Sequence, residues 1–139
     1  MALKDIHNNV NGVVAFNTAA IVSDTTTNGN IIDMQDYQGI EFFLQSGTLT
    51  DGTYTPLIEH ADQSNFSDGA AVDDSDLLGT EAEAAFTDAD DNAVRRIGYV
   101  GAKRYVRLSI VSASISSGGT ISATAVQGFP LIAKVANNS

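Results

Sequence analysis

Apolar and polar positions alternate with a period of two along much of the chain. The clearest stretch is residues 39–45, where Ile40, Phe42 and Leu44 share one face and Glu41, Phe43 and Gln45 the other. That spacing predicts a half-buried β-strand. A second runs from Lys103 to Ser112, with Val106, Leu108 and Ile110 turned inward against Tyr105, Arg107 and Ser109. Residues 94–100 and 120–127 read as two more, the latter with Ile121, Ala123 and Ala125 as its facing stripe. Residues 12–22 are small and β-branched and predict either two short strands or one bent one.

The turns are written in Gly, Asn and Asp. Asn28-Gly29 predicts a tight reversal. Thr50-Asp51-Gly52-Thr53 predicts a hairpin returning through residues 54–60, where Pro56 cannot donate a ladder bond and so marks an edge or a bulge. Ser116-Ser117-Gly118-Gly119 predicts a second hairpin. From residue 61 to residue 92 the alternation dissolves into Asp, Ser, Gly and Ala. A structureless loop of that length is unusual in a compact domain. Pinning points are expected at Asp76-Leu77-Leu78-Gly79 and Ala84-Ala85-Phe86, with a helical turn near Ser75 that Ser75 caps.

No window carries a 3.6-residue apolar stripe. The expected fold is therefore all-β: a single-domain antiparallel β-sandwich or jelly-roll-like barrel over residues 1–139, with a long acidic loop (61–92) and extended terminal arms (1–11 and 129–139). Leu3 and Ile6 in the first arm and Phe129, Leu131 and Ile132 in the second are apolar and lie outside the predicted strands.

Charge sharpens this picture. Eleven of the seventeen acidic residues fall between Glu59 and Asp91, a stretch without Lys or Arg. Arg95, Arg96, Lys103, Arg104 and Arg107 then supply five of the seven basic residues. A net charge of −10 argues against general nucleic-acid affinity, because phosphate binding depends on Lys and Arg. Tyr99 and Tyr105 beside Arg104 and Arg107 suit a protein interface, where Tyr and Arg are enriched; pairing of the same cations with the acidic loop is the other reading.

Other chemistry finds little support. No cysteine is present, so disulfides and thiolate metal sites are excluded. Asp88-Ala-Asp-Asp-Asn92 and Asp73-Asp-Ser-Asp76 cluster oxygens, but without the central glycine and distal glutamate of a calcium loop, so a metal-free, solvent-facing acidic loop is expected. His60 beside Glu59 forms no triad, and no catalytic, cofactor or metal residue is assigned. The amino terminus lacks the apolar core of a signal peptide, and no apolar run approaches the roughly 18 residues of a membrane helix, so a soluble protein not exported by the ordinary route is expected.

Three segments carry a resemblance. Gly47-Thr-Leu-Thr-Asp-Gly-Thr-Tyr-Thr-Pro56, the acidic segment ending Asp76-Leu-Leu-Gly-Thr-Glu81, and Ile97-Gly-Tyr-Val-Gly-Ala-Lys-Arg-Tyr-Val-Arg-Leu108 together resemble small virion proteins of tailed bacteriophages, over roughly residues 38–128. The resemblance implies a non-catalytic head decoration (cement) protein on the outer capsid surface, made in the host cytoplasm. Its partners would be the major capsid protein and itself, as a homotrimer, with no cofactor, nucleic acid or membrane. Leu3, Ile6, Arg95, Arg96, Tyr99, Lys103, Arg104, Tyr105, Arg107, Phe129, Leu131 and Ile132 are the candidate interface. Head completion, neck or tail proteins share the composition. A carbohydrate-binding module using Tyr54, Tyr99 or Tyr105 as a platform is a further alternative.

Overall fold

The computed structural model describes residues 5–130. Two antiparallel sheets pack face to face, and neither closes into a barrel. Sheet I has the order β1 (Val10–Ile21), β11 (Gly119–Pro130), β4 (Tyr37–Leu49), β9 (Val94–Tyr99), β7 (Leu77–Leu78). Sheet II is centred on β10 (Tyr105–Ala113), with β2 (Thr25–Thr27) and β3 (Ile31–Asp33) on one side and β5 (Thr53–Ala61) on the other; β6 (Ala70–Ala71) and β8 (Phe86–Thr87) pair with the far edge of β5. Among the described residues no helix is long and apolar enough to cross a membrane.

The alternating stripes meet in one core. Ile40, Phe42 and Leu44 of β4, Ile97 and Tyr99 of β9, and Ile121, Ala123 and Ala125 of β11 face Tyr54 and Ile58 of β5 and Val106, Leu108 and Ile110 of β10. Residues 12–21 fall in one strand, irregular between Val14 and Ala19 where its register against β11 shifts, and Val22 lies just beyond it. β1 takes in Val10 and Asn11, and β11 takes in Phe129, so strand pairing reaches into both stretches expected as arms.

Three expected reversals are something else. Asn28-Gly29 turns no hairpin: β2 and β3 both pair with β10, and residues 28–30 sit opposite Leu108 and Ser109, a bulge that keeps the chain's direction. The turn at Asp51-Gly52 joins β4 of sheet I to β5 of sheet II, and residues 114–118 join β10 of sheet II to β11 of sheet I. Both are corners at which the chain changes sheet. They are tied together, since Asp51 accepts the amides of Ser116, Ser117 and Gly118 at 3.0, 2.8 and 3.0 Å, and the Thr50 amide bonds the Gly118 carbonyl at 2.9 Å. These amides hold the Asp51 carboxyl below the ordinary aspartate value. Gly118 sits at φ +87°, and a Cβ there would collide with the Ile21 carbonyl.

Pro56 occupies a locally unpaired edge, as its missing donor requires. It lies between the residues of β5 that pair with β8 and those that pair with β6. The acidic stretch covers this edge. The Ile58 amide donates to Glu81 Oε2 at 2.7 Å, and the Ile58 carbonyl accepts from the Val72 amide at 3.0 Å. Leu77, Ala84 and Phe86 are buried in the core, while Leu78 points out. The helical turn is a 3-10 turn at Asp74–Asp76, preceded by Asp73 with no side-chain cap bond, so Ser75 lies inside it and does not cap it.

Candidate interaction surface

The five basic side chains singled out in the sequence all have acidic partners within the molecule. Arg107 and Glu59 are directly opposed on β10 and β5, with Nη2 to Oε1 at 2.9 Å and Nε to Oε1 at 3.2 Å. Their side chains are only 17% and 18% exposed, and the guanidinium lies 4.4 Å from the Phe66 ring centroid. Arg104 grips Asp33 in bidentate fashion at 2.8 and 2.9 Å, bonds Gln35 as well, and stacks over Tyr105. Lys103 bonds Asp62 at 2.6 Å, and Arg95 pairs with Asp90 at 3.1 Å over the Phe86 ring. Arg96 is the loosest, 4.0 Å from Glu41. Glu59, Asp62 and Asp90 belong to the acidic stretch, so pairing with it accounts for Arg107, Lys103 and Arg95.

Most acidic side chains of this stretch are exposed, yet several are tied to backbone amides. Asp68 accepts the amides of Asp62 and Gln63, Asp90 accepts that of Thr87, and Asp91 accepts that of Leu49. Hydrogen bonds from these amides hold the Asp68 and Asp90 carboxyls below their ordinary value. Glu81 shifts the other way, because burial outweighs its bond from Ile58. Among the described residues no group of three or more His, Cys, Asp or Glu is placed to hold a metal ion.

The tyrosines are not a surface platform. Tyr54 and Tyr99 are buried core residues. The Tyr99 hydroxyl accepts from the Lys103 amide at 3.0 Å and is hydrogen-bonded to His60 Nδ1 at 2.9 Å. His60 thus packs edge-on to Tyr99, on the opposite side of β5 from Glu59. Tyr105 is half-buried beneath Arg104. Of the apolar candidates, Ile6 and Phe129 are strongly exposed, and Leu3, Leu131 and Ile132 lie outside the described residues.

What the sequence did not disclose is the outer face of sheet I. Register places Val14 of β1, Val126 of β11, Phe43 of β4, Val94 of β9 and Leu78 of β7 on that face. Leu78 is 57% exposed, and Val14 and Val94 are similarly open. At the exit of β11, Phe129 takes a left-handed φ of +52° and is 76% exposed, with its ring placed over Gly39. Phe129, Val126, Gly39, Ile40, Leu78 and Val100 border a groove of about 320 Å³. Gly128 in its lining has open space where a side chain would stand.

One carboxylate stands in this apolar surface. Glu41 lies flat over Gly98, where a Cβ would collide with its Oε1, and it borders the groove. Burial pushes its carboxyl above the ordinary glutamate value, partly offset by Arg96. The signal in the sequence was slight: Phe43 is an apolar residue at a position predicted to face out, but only the register joins it to Val14, Leu78 and Val94. No protein-family model, curated protein or solved structure matches this chain.

Proposed function

We propose that this chain is a non-catalytic structural protein of a tailed-bacteriophage particle: a decoration or cement protein that binds the outside of the head at seams between capsomers. The observation that carries the reading is the exposed apolar face of sheet I, set in a molecule whose named cations are already paired internally. Large apolar side chains left exposed on one sheet face, here interleaved with Thr124, Glu41 and Arg96, are what a protein contact would cover. The virion assignment itself rests on the resemblance of the three segments around residues 47–56, 76–81 and 97–108.

Cement works by adding contact area that must be lost before capsomers separate. A standard specific interface buries about 1,600 Å² in total, and repetition over the shell multiplies its effect. A net charge of −10 on an outward surface keeps decorated particles from associating. The test is addition of purified protein to heads that lack it, followed by pelleting. Bound protein and heads that resist heat are expected. Phe129→Asp should abolish binding without lowering the melting temperature, since Asp tolerates the left-handed backbone at that position. Binding unaffected by Phe129→Asp and Leu78→Asp together overturns the role of this face. Binding only to necks or tails would place the protein at another virion station.

A further inference from the structure

We propose that the cleft at one end of the sandwich, between the β3–β4 and β9–β10 connections, binds a neutral saccharide. Phe43, Leu78 and Phe129 take no part in its lining, and what it binds does not depend on what their face contacts.

Both connections cross between the sheets. Residues 34–36 join β3 of sheet II to β4 of sheet I, and residues 100–104 join β9 of sheet I to β10 of sheet II. Between them is a cleft of about 480 Å³, within the roughly 300–1,000 Å³ of small-molecule sites. Its walls are held in place. The Met34 amide donates to the Arg104 carbonyl at 2.8 Å, and the Arg104 guanidinium is clamped by Asp33 and Gln35. The Lys103 amide donates to the Tyr99 hydroxyl, and Lys103 Nζ to Asp62. Gly101 sits so close to Tyr99 that a Cβ there would collide with the phenol. A cleft ordered in advance loses little freedom when a ligand enters it.

Asp36 is the residue that the fold leaves unexplained. The Tyr37 amide donates to the Met34 carbonyl at 3.1 Å and closes a turn over residues 34–37, whose third residue, Asp36, has a φ of +75°. Asp takes such a backbone more readily than most residues, but glycine takes it without cost. The Asp36 carboxylate is exposed and accepts no hydrogen bond among the described residues, so no internal contact offsets the strain. Strained residues of this kind gather at ligand sites.

Charge then selects the ligand. Arg104 and Lys103 line the cleft, but Asp33 and Asp62 already neutralise them, which leaves no free cation for an anion. Asp36 adds a negative charge to a chain of net −10. A metal ion is no better served, since no three His, Cys, Asp or Glu converge among the described residues. What the cleft offers is a mixture of planar donors and acceptors. They are the Asp36 carboxylate, the side-chain amides of Gln35 and Gln38, and Arg104 Nη1, which makes none of the bonds to Asp33 and Gln35. Half-buried Tyr37 adds an aromatic ring with a polar tip. A sugar has the matching chemistry: hydroxyls that both donate and accept, around a ring whose C–H groups can lie against an aromatic face. An ion or a hydrocarbon would leave most of this lining unsatisfied.

The experiment is amide NMR on the isotope-labelled full chain, titrated with the methyl glycosides of glucose, galactose, mannose and N-acetylglucosamine, each to about 50 mM. At least one is expected to bind in the millimolar range and to move the amides of Gln35, Asp36, Tyr37, Gln38, Ala102 and Lys103. Asp36→Gly should weaken that binding at least about tenfold, as loss of a hydrogen bond to a charged group does, with a melting temperature equal to or above the parent's. Gln38→Ala, at an exposed side chain, should weaken it less and leave the melting temperature unchanged. Silence of these amides toward all four sugars overturns the proposal, and so does inorganic phosphate that moves them more than any sugar. Binding undiminished in both variants is equally contradictory. A clearly lowered melting temperature in Asp36→Gly would show that the carboxylate serves the fold, against the proposal. A trisaccharide of the responding sugar separates the two sources of this chemistry: tighter binding than the methyl glycoside assigns a glycan chain, and equal binding a single sugar.

Discussion

Arg107→Glu should damage the fold itself. In sequence, Arg104 and Arg107 look like exposed partners for another molecule, so that reversing both would weaken attachment and leave folding intact. The structure separates them. Arg107 and Glu59 face each other across β10 and β5, both less than one-fifth exposed, with Phe66 covering the guanidinium. An exposed ion pair is worth about 0–1 kcal/mol, and breaking a fully buried one costs about 3–5 kcal/mol. This pair lies between those limits. The contact with Phe66 adds roughly 0.5–1 kcal/mol, and the new carboxylate stands directly opposite Glu59, which is destabilising in its own right. We expect a loss of about 2–4 kcal/mol for Arg107→Glu and about half of that for Arg107→Met, which keeps the stem but not the charge. Urea unfolding measures both, and a cycle with Glu59→Gln isolates the coupling. The exchanged pair Arg107→Glu with Glu59→Arg should recover much of the loss. A change of less than about 0.5 kcal/mol in Arg107→Glu, the level of an ordinary surface substitution, would refute the reasoning.

Other consequences follow from the same bonds. Arg104→Glu, at a pair with both side chains nearly half exposed, should cost clearly less than Arg107→Glu, and an equal loss in the same urea assay would contradict the distinction. Asp51→Ala removes the acceptor joining the two corners, so amide exchange at Ser116, Ser117 and Gly118 should accelerate selectively; unchanged exchange there would show that the corners hold without it. Gly118→Ala forces a side chain into φ +87° and onto the Ile21 carbonyl, at a loss of about 1–3 kcal/mol, and a melting temperature equal to the parent's would exclude that. Stability should peak in mild acid. Asp33, Asp51, Asp68 and Asp90 have lowered carboxyls, so the stability they lend is present above the ordinary value of 3.8 and disappears as pH falls through their folded values below it. Glu41 and Glu81 are raised, so their contribution has the opposite sign and increases as pH falls through their folded values toward 4.5. Urea midpoints from pH 7 to pH 2.5 check this, and a midpoint still climbing below pH 3.8 would be incompatible with it.

Much of the fold was legible because period-two alternation reports burial directly. Ile40, Phe42, Leu44, Val106, Leu108 and Ile110 were assigned to the core by that spacing alone, and all six are buried. The corners were misread because Asp51-Gly52 and Gly118-Gly119 encode a local change of direction and say nothing about which sheet the next strand joins. Composition suggests a solvated loop over 61–92, and most of its acidic residues are exposed; what composition cannot reveal is that Glu81, Asp68, Asp90 and Asp91 bond backbone amides distant in the chain or across a turn. The candidate surface was only partly visible for a related reason. Phe129 was named from its position, but Val14, Phe43, Leu78 and Val94 come from four different strands and share a face only after register is fixed. Tyr99 was the reverse case: an aromatic residue beside arginines that belongs to the core.

The most direct measurement is a cryo-electron-microscopy map of a tailed-phage particle assembled in the presence of this protein. The account predicts density for a two-sheet sandwich repeated over the outer shell at capsomer seams, with the face bearing Leu78, Phe43 and Phe129 turned into a protein contact. A shell lattice without that density, or density confined to a single ring at the neck, would contradict it.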